Sequence, residues 1–318
     1  MMTLMDVRGL KAYYRTLRGS VRAVDDVHLA IKPGEVFGIA GESGCGKSTL
    51  AKGMLRLLKP PSYIAGGSVV FDGTDIVSLG DEALRRLRGS ALSYIPQSSM
   101  NALNPVMRVR DQIADAITAH SGASADKARQ RAEDLLTVVG LPKRVSRMYP
   151  HELSGGMKQR VVIAIAIALG PRLVVADEPT TALDVVTQRG IVQALGDIRD
   201  QFGTAIVLIS HDLAVHAEIV DRLLVMYAGK VAEVGSVYDL FENPLHPYSQ
   251  VLAAAIPSIE ARREIKGLAG QPPNLLNPPV GCRFAPRCPK VMPECKNEEP
   301  QLREVEPGRQ VACLLYGG

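Results

Sequence analysis

The 318-residue sequence contains no tryptophan, and aromatic residues make up only 4% of it. So few rings argue against a base-stacking platform for single-stranded nucleic acid. The core must instead be built from Ala, Val, Leu and Ile. An excess of one charge is also missing: 37 Lys and Arg stand against 33 Asp and Glu, a net +4. That balance marks neither a nucleic-acid binder nor a membrane-surface binder. Long apolar runs are lacking too. The longest, Val161 to Leu169, falls far short of the roughly 18 residues needed to span a bilayer. The opening MMTLMDVRGL is too polar for a signal-peptide core, so the chain is expected to stay in the cytoplasm. What is present, 46% hydrophobic and 22% charged residues, supports a sizeable core and excludes wholesale disorder. The length suggests about two domains.

Proline divides the chain. Ten of its 21 prolines lie between Pro257 and Gly318, and four of its five cysteines lie there as well. This places a main domain at 1–240 and a Pro-rich, Cys-bearing extension at 241–318. In the main domain, β-branched runs alternate with helical stretches. Strands are expected at Val27–Ile31, Val36–Ala40, Ser68–Phe71, Ala91–Ile95, Leu173–Ala176, Thr204–Ile209 and Arg222–Met226. Helices are expected at Lys47–Leu58, Ala125–Val139, Gly155–Leu169 and Val186–Arg199. The fold class is α/β with a largely parallel sheet, whose ligands belong at the carboxyl ends of strands. VVIAIAIAL at Val161–Leu169 is ambiguous, since its Ile/Ala alternation also suits a buried strand; Ser154 before it and Gly170-Pro171 after it favour a helix.

Between the strand Val36–Ala40 and a helix lies GESGCGKST, Gly41 to Thr49, which fits the P-loop pattern. Gly41, Ser43, Gly44, Cys45 and Gly46 form a turn whose backbone N–H groups can point at phosphate oxygens, aided by the helix N-terminus. Lys47 reaches the outer phosphates and Ser48 ligates Mg²⁺. Context argues against an ordinary Gly-rich turn, so the chain is expected to bind a nucleoside triphosphate. Cys45 sits where a helix N-terminus lowers a thiol pKa, although a small residue at a variable position is the plainer reading. Asp177 and Glu178 end the strand Leu173–Ala176: one carboxylate can hold Mg²⁺ through water and the next can polarise the attacking water. Ser154, Gly155 and Gly156 in HELSGGMKQR offer a hydroxyl and amides at another helix mouth.

The order of these elements is P-loop, Gln97, LSGGM, Asp177-Glu178, TALD at Thr181–Asp184, and His211 in SHDLA. It closely resembles the nucleotide-binding subunit of ATP-binding-cassette proteins over residues 4–235. The resemblance implies a P-loop NTPase cassette fold with a parallel-sheet core, an antiparallel β subdomain and an α-helical signature subdomain. It implies two such domains docked head to tail, each ATP held between the P-loop of one and the LSGG helix of the other. Tyr14 would stack on adenine, although adjacent Tyr13 fits as well. Lys47, Ser48 and Thr49 would bind phosphates and Mg²⁺, and Gln97 would order Mg²⁺ and water and sense a membrane partner. Ser154 and Gly156 would close over the γ-phosphate of the opposite site. Asp177 would support Mg²⁺, Glu178 act as general base, Asp184 link the two sites and His211 contact the γ-phosphate. The other histidines read as hydrogen-bonded structural residues. Met157 stands where the family more often has Gln, at little cost, because the Ser and Gly amides make the contact.

Cys282, Cys288, Cys295 and Cys313 are spaced C-x5-C-x6-C-x17-C. Disulfides do not suit a cytosolic chain, zinc prefers tighter pairs, and an iron–sulfur cluster needs four thiolates. Spacing alone leaves these metals, or none, open. NPLHPYSQVLAAAIPS, GCRFAPRCPKVMPEC and VACL, with SSMNALNP after Gln97, resemble the oligopeptide/dipeptide importer branch of the family. That resemblance implies a [4Fe–4S] cluster on the four cysteines. It implies an ATPase peripheral to the cytoplasmic face of the membrane, working with a second ATPase, two transmembrane permease subunits and an extracellular solute-binding protein, and with no nucleic acid. The permease would rest in a groove near Gln97 and Ser98–Val109. The same machinery could carry oligosaccharides or metal chelates. Rival readings are a soluble cassette ATPase acting on DNA or ribosomes, and a P-loop kinase or GTPase. The first usually has two cassettes or a long coiled coil; the second leaves LSGGM, TALD and His211 unexplained.

Overall fold

The computed structural model describes residues 3–97, 102–255, 268 and 270–317. Its elements begin with β1 (Met5–Thr16), β2 (Gly19–Ile31), β3 (Val36–Ala40), α1 (Lys47–Met54), β4 (Ser62–Phe71), β5 (Thr74–Asp75), α2 (Asp81–Leu87), β6 (Leu92–Ile95), α3 (Val109–Ser121) and α4 (Ala125–Val138). They continue with α5 (Gly155–Ala166), β7 (Leu173–Asp177), α6 (Val185–Phe202), β8 (Ala205–Ile209), α7 (Leu213–Ile219), β9 (Arg222–Tyr227) and β10 (Lys230–Ser236). The last are α8 (Val237–Glu242), α9 (Pro247–Ala254), β11 (Arg303–Glu306) and β12 (Arg309–Val311). The chain forms two units: one from residues 32–36 and 78–209, the other from 3–31, 37–77 and 210 onward.

In the first unit, β6, β7 and β8 pair in parallel, with Ile95 opposite Ala176 and Asp177 opposite Ile209. All five residues of β7 and of β8 are buried, as strands covered on both faces must be. Their register puts Asp177 at the carboxyl edge, where open α/β sheets bind ligands. The ambiguous run around Val161 is helical. Ser154 caps α5 by accepting a bond from the Met157 amide at 3.4 Å, and Val161, Ile163 and Ala164 are fully buried. The helix stops at Ala166, three residues before the expected end, and Gly170 is left-handed (φ 66°).

The second unit holds an antiparallel sheet in the order β2-β1-β4-β5. It also holds β3 parallel to β9, followed by β10, β12 and β11 in antiparallel array. β3 occupies its expected span, Val36–Ala40. The sequence reading missed β1 because bulges interrupt it: the register with β2 shifts between Val7 and Leu10 and twice more beyond, so strict alternation is lost. Helix α1 ends at Met54, short of the expected Leu58, and Arg56 takes a left-handed conformation (φ 51°). The chain beyond residue 240 is part of this unit. Val311 of β12 pairs with Glu233 of β10, Tyr248 is completely buried and Phe284 is 1% exposed. The expected division at 240 therefore falls inside a compact unit. Residues 98–101 of the segment expected to face a membrane partner lie outside the described residues.

Candidate functional site

The phosphate loop is shaped by its glycines. Gly41 and Gly46 have φ of 148° and 111°, and a Cβ at either would run into a backbone carbonyl, that of Met226 or of Ala23. No side chain can replace the hydrogen there. Lys47 is 5% exposed, and its ammonium donates to the carbonyls of Gly41 (2.7 Å) and Glu42 (3.0 Å). Its charge is thus held at the mouth of α1. Ser48 is half-buried in the first turn and Thr49 is buried; Ser43 and Gly44 are exposed. Cys45 is 5% exposed, and burial pushes its thiol pKa up. A buried, protonated thiol is a packing residue, so Cys45 is the small residue of the plainer reading and not a thiol activated by the helix N-terminus. Tyr14 reaches the loop: its hydroxyl lies 3.0 Å from Thr49 Oγ1. Tyr13 is committed elsewhere, donating to Asp25 at 2.6 Å, with burial and that carboxylate pushing its pKa up to about 12.

The acidic pair sits in the other unit. Asp177 is 1% exposed and accepts a bond from Tyr94 Oη at 2.8 Å. Burial and the neighbouring carboxylate raise the Tyr94 pKa and keep it a donor. Glu178 has φ of 48°, a conformation costly for a residue with a side chain and concentrated at functional sites. Its Oε2 accepts from Gln97 Nε2 at 2.8 Å and from Thr181 Oγ1 at 2.9 Å. The structure thus joins Gln97 and Glu178, separated by 81 positions. Tyr94 has no sequence signal beyond a hydroxyl on the strand before Gln97, and Thr181 stands in the sequence only as the first residue of TALD, with no role of its own.

In the same unit, Ser154 is exposed at the N-terminus of α5. Neither α1 nor α5 carries an acid in its first turn, so both positive helix ends remain available to an anion. Gly156 is buried, and a Cβ on it would strike the Thr187 side chain of α6. Thr187 in turn bonds Asp184 through its amide (2.9 Å) and hydroxyl (2.7 Å). Asp184 therefore caps α6, and these bonds lower its carboxyl pKa. Here Gly156 and Asp184 meet the same threonine, a link that the sequence did not reveal.

His211 follows β8 and is exposed, unlike a core histidine. His216 takes that structural part: it is fully buried, its Nε2–H donates to the Ser210 carbonyl at 3.2 Å, and burial lowers its pKa to about 4.

Known proteins resemble the chain over nearly its whole length. Residues 24–181 match the family described as ABC transporter, and residues 232–295 match the oligopeptide/dipeptide transporter C-terminal region. The oligopeptide transport ATP-binding protein OppD of Escherichia coli is 44% identical over 98% of this chain and 93% of its own length. AppD of Bacillus subtilis, also named for oligopeptide transport, is 42% identical over 99% and 98%. The chain belongs to the ATP-binding-cassette transporter family. It is an ATPase with the cassette fold of that family and an oligopeptide/dipeptide-type C-terminal region. The dipeptide transport protein DppD of Caldanaerobacter subterraneus is 39% identical over 99% and 98%. The solved dimer of the ATP-binding cassette MJ0796 with ADP and Pi superposes with a TM-score of 0.66 at 30% identity, covering 73% of this chain and 98% of that one.

In this cassette ATPase the four tail cysteines line one pocket, together with His246, Phe284 and Lys290. The Cys282 amide donates to the Cys295 carbonyl at 2.8 Å. Burial raises the Cys282 thiol to about 11 and raises Cys288 and Cys313 as well. Among the described residues, no three His, Cys, Asp or Glu side chains are grouped so as to hold a metal ion. His246 caps α9, its Nδ1 accepting from the Tyr248 amide at 3.0 Å, and burial lowers its pKa to about 4. No helix among the described residues is long and apolar enough to cross a membrane.

Proposed function

We propose that this ATPase energises an importer for oligopeptides, dipeptides or chemically similar solutes by ATP-driven closure of a cassette dimer. The observation that carries the hydrolytic part is Glu178, held in a left-handed turn beside buried Asp177 with its carboxylate gripped by Gln97 and Thr181. Glu178 takes the proton of the attacking water. Asp177, Ser48 and Gln97 hold Mg²⁺, Lys47 and the loop amides hold the phosphates, and His211 contacts the γ-phosphate. Tyr14 supplies the adenine-facing ring. Ser154 and Gly156 cover the ATP bound by the partner's loop, and Asp184 relays between the two sites. A ligand that binds the closed state better shifts the pair toward it.

The peptide substrate is supported by the match of residues 232–295 and by the names of the relatives. On that reading the protein lies at the cytoplasmic face of the membrane with a second cassette subunit, two permeases and an extracellular solute-binding protein. Residues 1–240 act as the cassette and 241–318 as an importer-type extension. The test is Glu178→Gln, which should trap an ATP-bound dimer and cut hydrolysis at least about a hundredfold. Unchanged turnover would remove Glu178 as base.

A [4Fe–4S] cluster on Cys282, Cys288, Cys295 and Cys313 forms a second part of the proposal. Its support is that the four thiols line one pocket; the absence, among the described residues, of three side chains grouped to hold a metal ion stands against it. Purified protein should be brown, with a broad band near about 400 nm. Stoichiometric zinc without iron on elemental analysis would refute it.

A further inference from the structure

Glu42 occupies a variable position of the phosphate loop, yet all its polar groups are engaged. Its amide donates to Tyr248 Oη at 2.8 Å. Its carbonyl accepts from Lys47 Nζ at 3.0 Å and from the Cys45 amide at 3.2 Å. Its carboxylate receives both prongs of Arg287, at 2.8 and 3.0 Å. Tyr248 and Arg287 both come from beyond residue 240, and Arg287 directly precedes Cys288.

Arg287 is itself fixed. Its Nη1 also donates to Tyr227 Oη at 3.2 Å, and its side chain is only 5% exposed. Tyr227 packs in turn on Tyr248 and Phe284, with ring centroids 4.7 and 5.1 Å away. A forked, shielded arginine sets both distance and direction for a carboxylate, unlike a solvent-exposed ion pair.

The rest of the loop shows why this matters. Gly41 and Gly46 lie against the carbonyls of Met226 and Ala23, whereas Gly44 would have nothing within 4 Å of a Cβ. Glu42 lies between the packed Gly41 and the open Gly44, and its own anchors are Tyr248 and Arg287. It also supplies one of the two carbonyls that hold the Lys47 ammonium.

We propose that Arg287, through Glu42, is a positioning residue for the phosphate loop, so that the cysteine-bearing tail sets the affinity of the loop for ATP. The inference rests on the reading of Gly41–Thr49 as the ATP loop and on no reading of the thiol pocket. The experiment uses the full chain, with Kd for a fluorescent ATP analogue and kcat at saturating ATP. Arg287→Ala and Glu42→Gln should each raise Kd about tenfold, with kcat falling by less, and the double variant should be no worse than either alone. Arg309→Gln breaks another shielded tail pair, Arg309 with Glu233, which bonds no loop residue. It should lower the melting temperature and leave Kd within about twofold.

Failure of the wild-type chain to bind the analogue would overturn the ATP-loop reading itself. With wild-type binding intact, an unchanged Kd in Arg287→Ala, additive effects in the double variant, or an equal rise in Arg309→Gln would overturn the positioning role. Should Arg287→Ala not fold, Glu42→Gln, which leaves Arg287 on Tyr227, decides alone: a raised Kd supports the role and an unchanged one ends it.

Discussion

The phosphate loop and the thiol pocket belong to the same unit and are both built on irregular backbone, but they are made of different material. The loop presents main-chain groups, and its shape follows from glycines that nothing else can replace against the carbonyls of Met226 and Ala23. The pocket presents side chains, four thiols carried by short turns among prolines. A site made of backbone leaves a glycine pattern that encodes its geometry. A site made of thiols leaves only a count of donors, and their meeting depends on folding.

The sharpest way to break this contrast is Gly46→Ala. Its side chain would collide with the Ala23 carbonyl in a left-handed position, and ATP affinity should fall by about a hundredfold or more, measured by equilibrium binding. The matching change in the pocket, Cys282→Ser with Cys295→Ser, should reduce iron to background by elemental analysis, while ATP affinity drops no further than in Arg287→Ala.

Acid probes both regions through one buried neutral histidine each. His216 lies behind the loop's strand, where a Cβ on Gly38 would meet its ring, and His246 lines the thiol pocket. Both folded-state pKa values lie near 4, below the ordinary 6.5. The unfolded chain therefore binds protons more readily between these values, and stability is full above about 6.5 and lost as pH falls toward 4. Each histidine contributes on the order of 3 kcal/mol to that loss. Denaturant midpoints across this range should flatten partly in His216→Asn or His246→Asn, and an unaltered slope in both would exclude them as the cause. The smallest effect belongs to Tyr14→Phe, which removes one hydroxyl contact to Thr49 and should weaken ATP binding by about two- to fivefold in the same assay.

Much of this was legible in the sequence. Buried apolar runs marked β3, β7 and β8, since strands covered on both faces carry no polar alternation to confuse the reading. Helix α5 was legible through its cap, Ser154. The bulged β1 was not, because each register shift resets which face a residue occupies. Nor was the grip of Gln97 and Thr181 on Glu178, or the meeting of Gly156 and Asp184 at Thr187, because such contacts depend on how helices and turns pack.

By itself the sequence determined the loop that cradles phosphate, the acids at a strand end and the signature helix, because each is specified by local backbone chemistry over a few consecutive residues. Only the tertiary structure decided that Glu42 is clasped by an arginine 245 positions away, and that four scattered thiols line one pocket. Contacts at that separation are made by the path of the whole chain, and no short stretch of residues carries them.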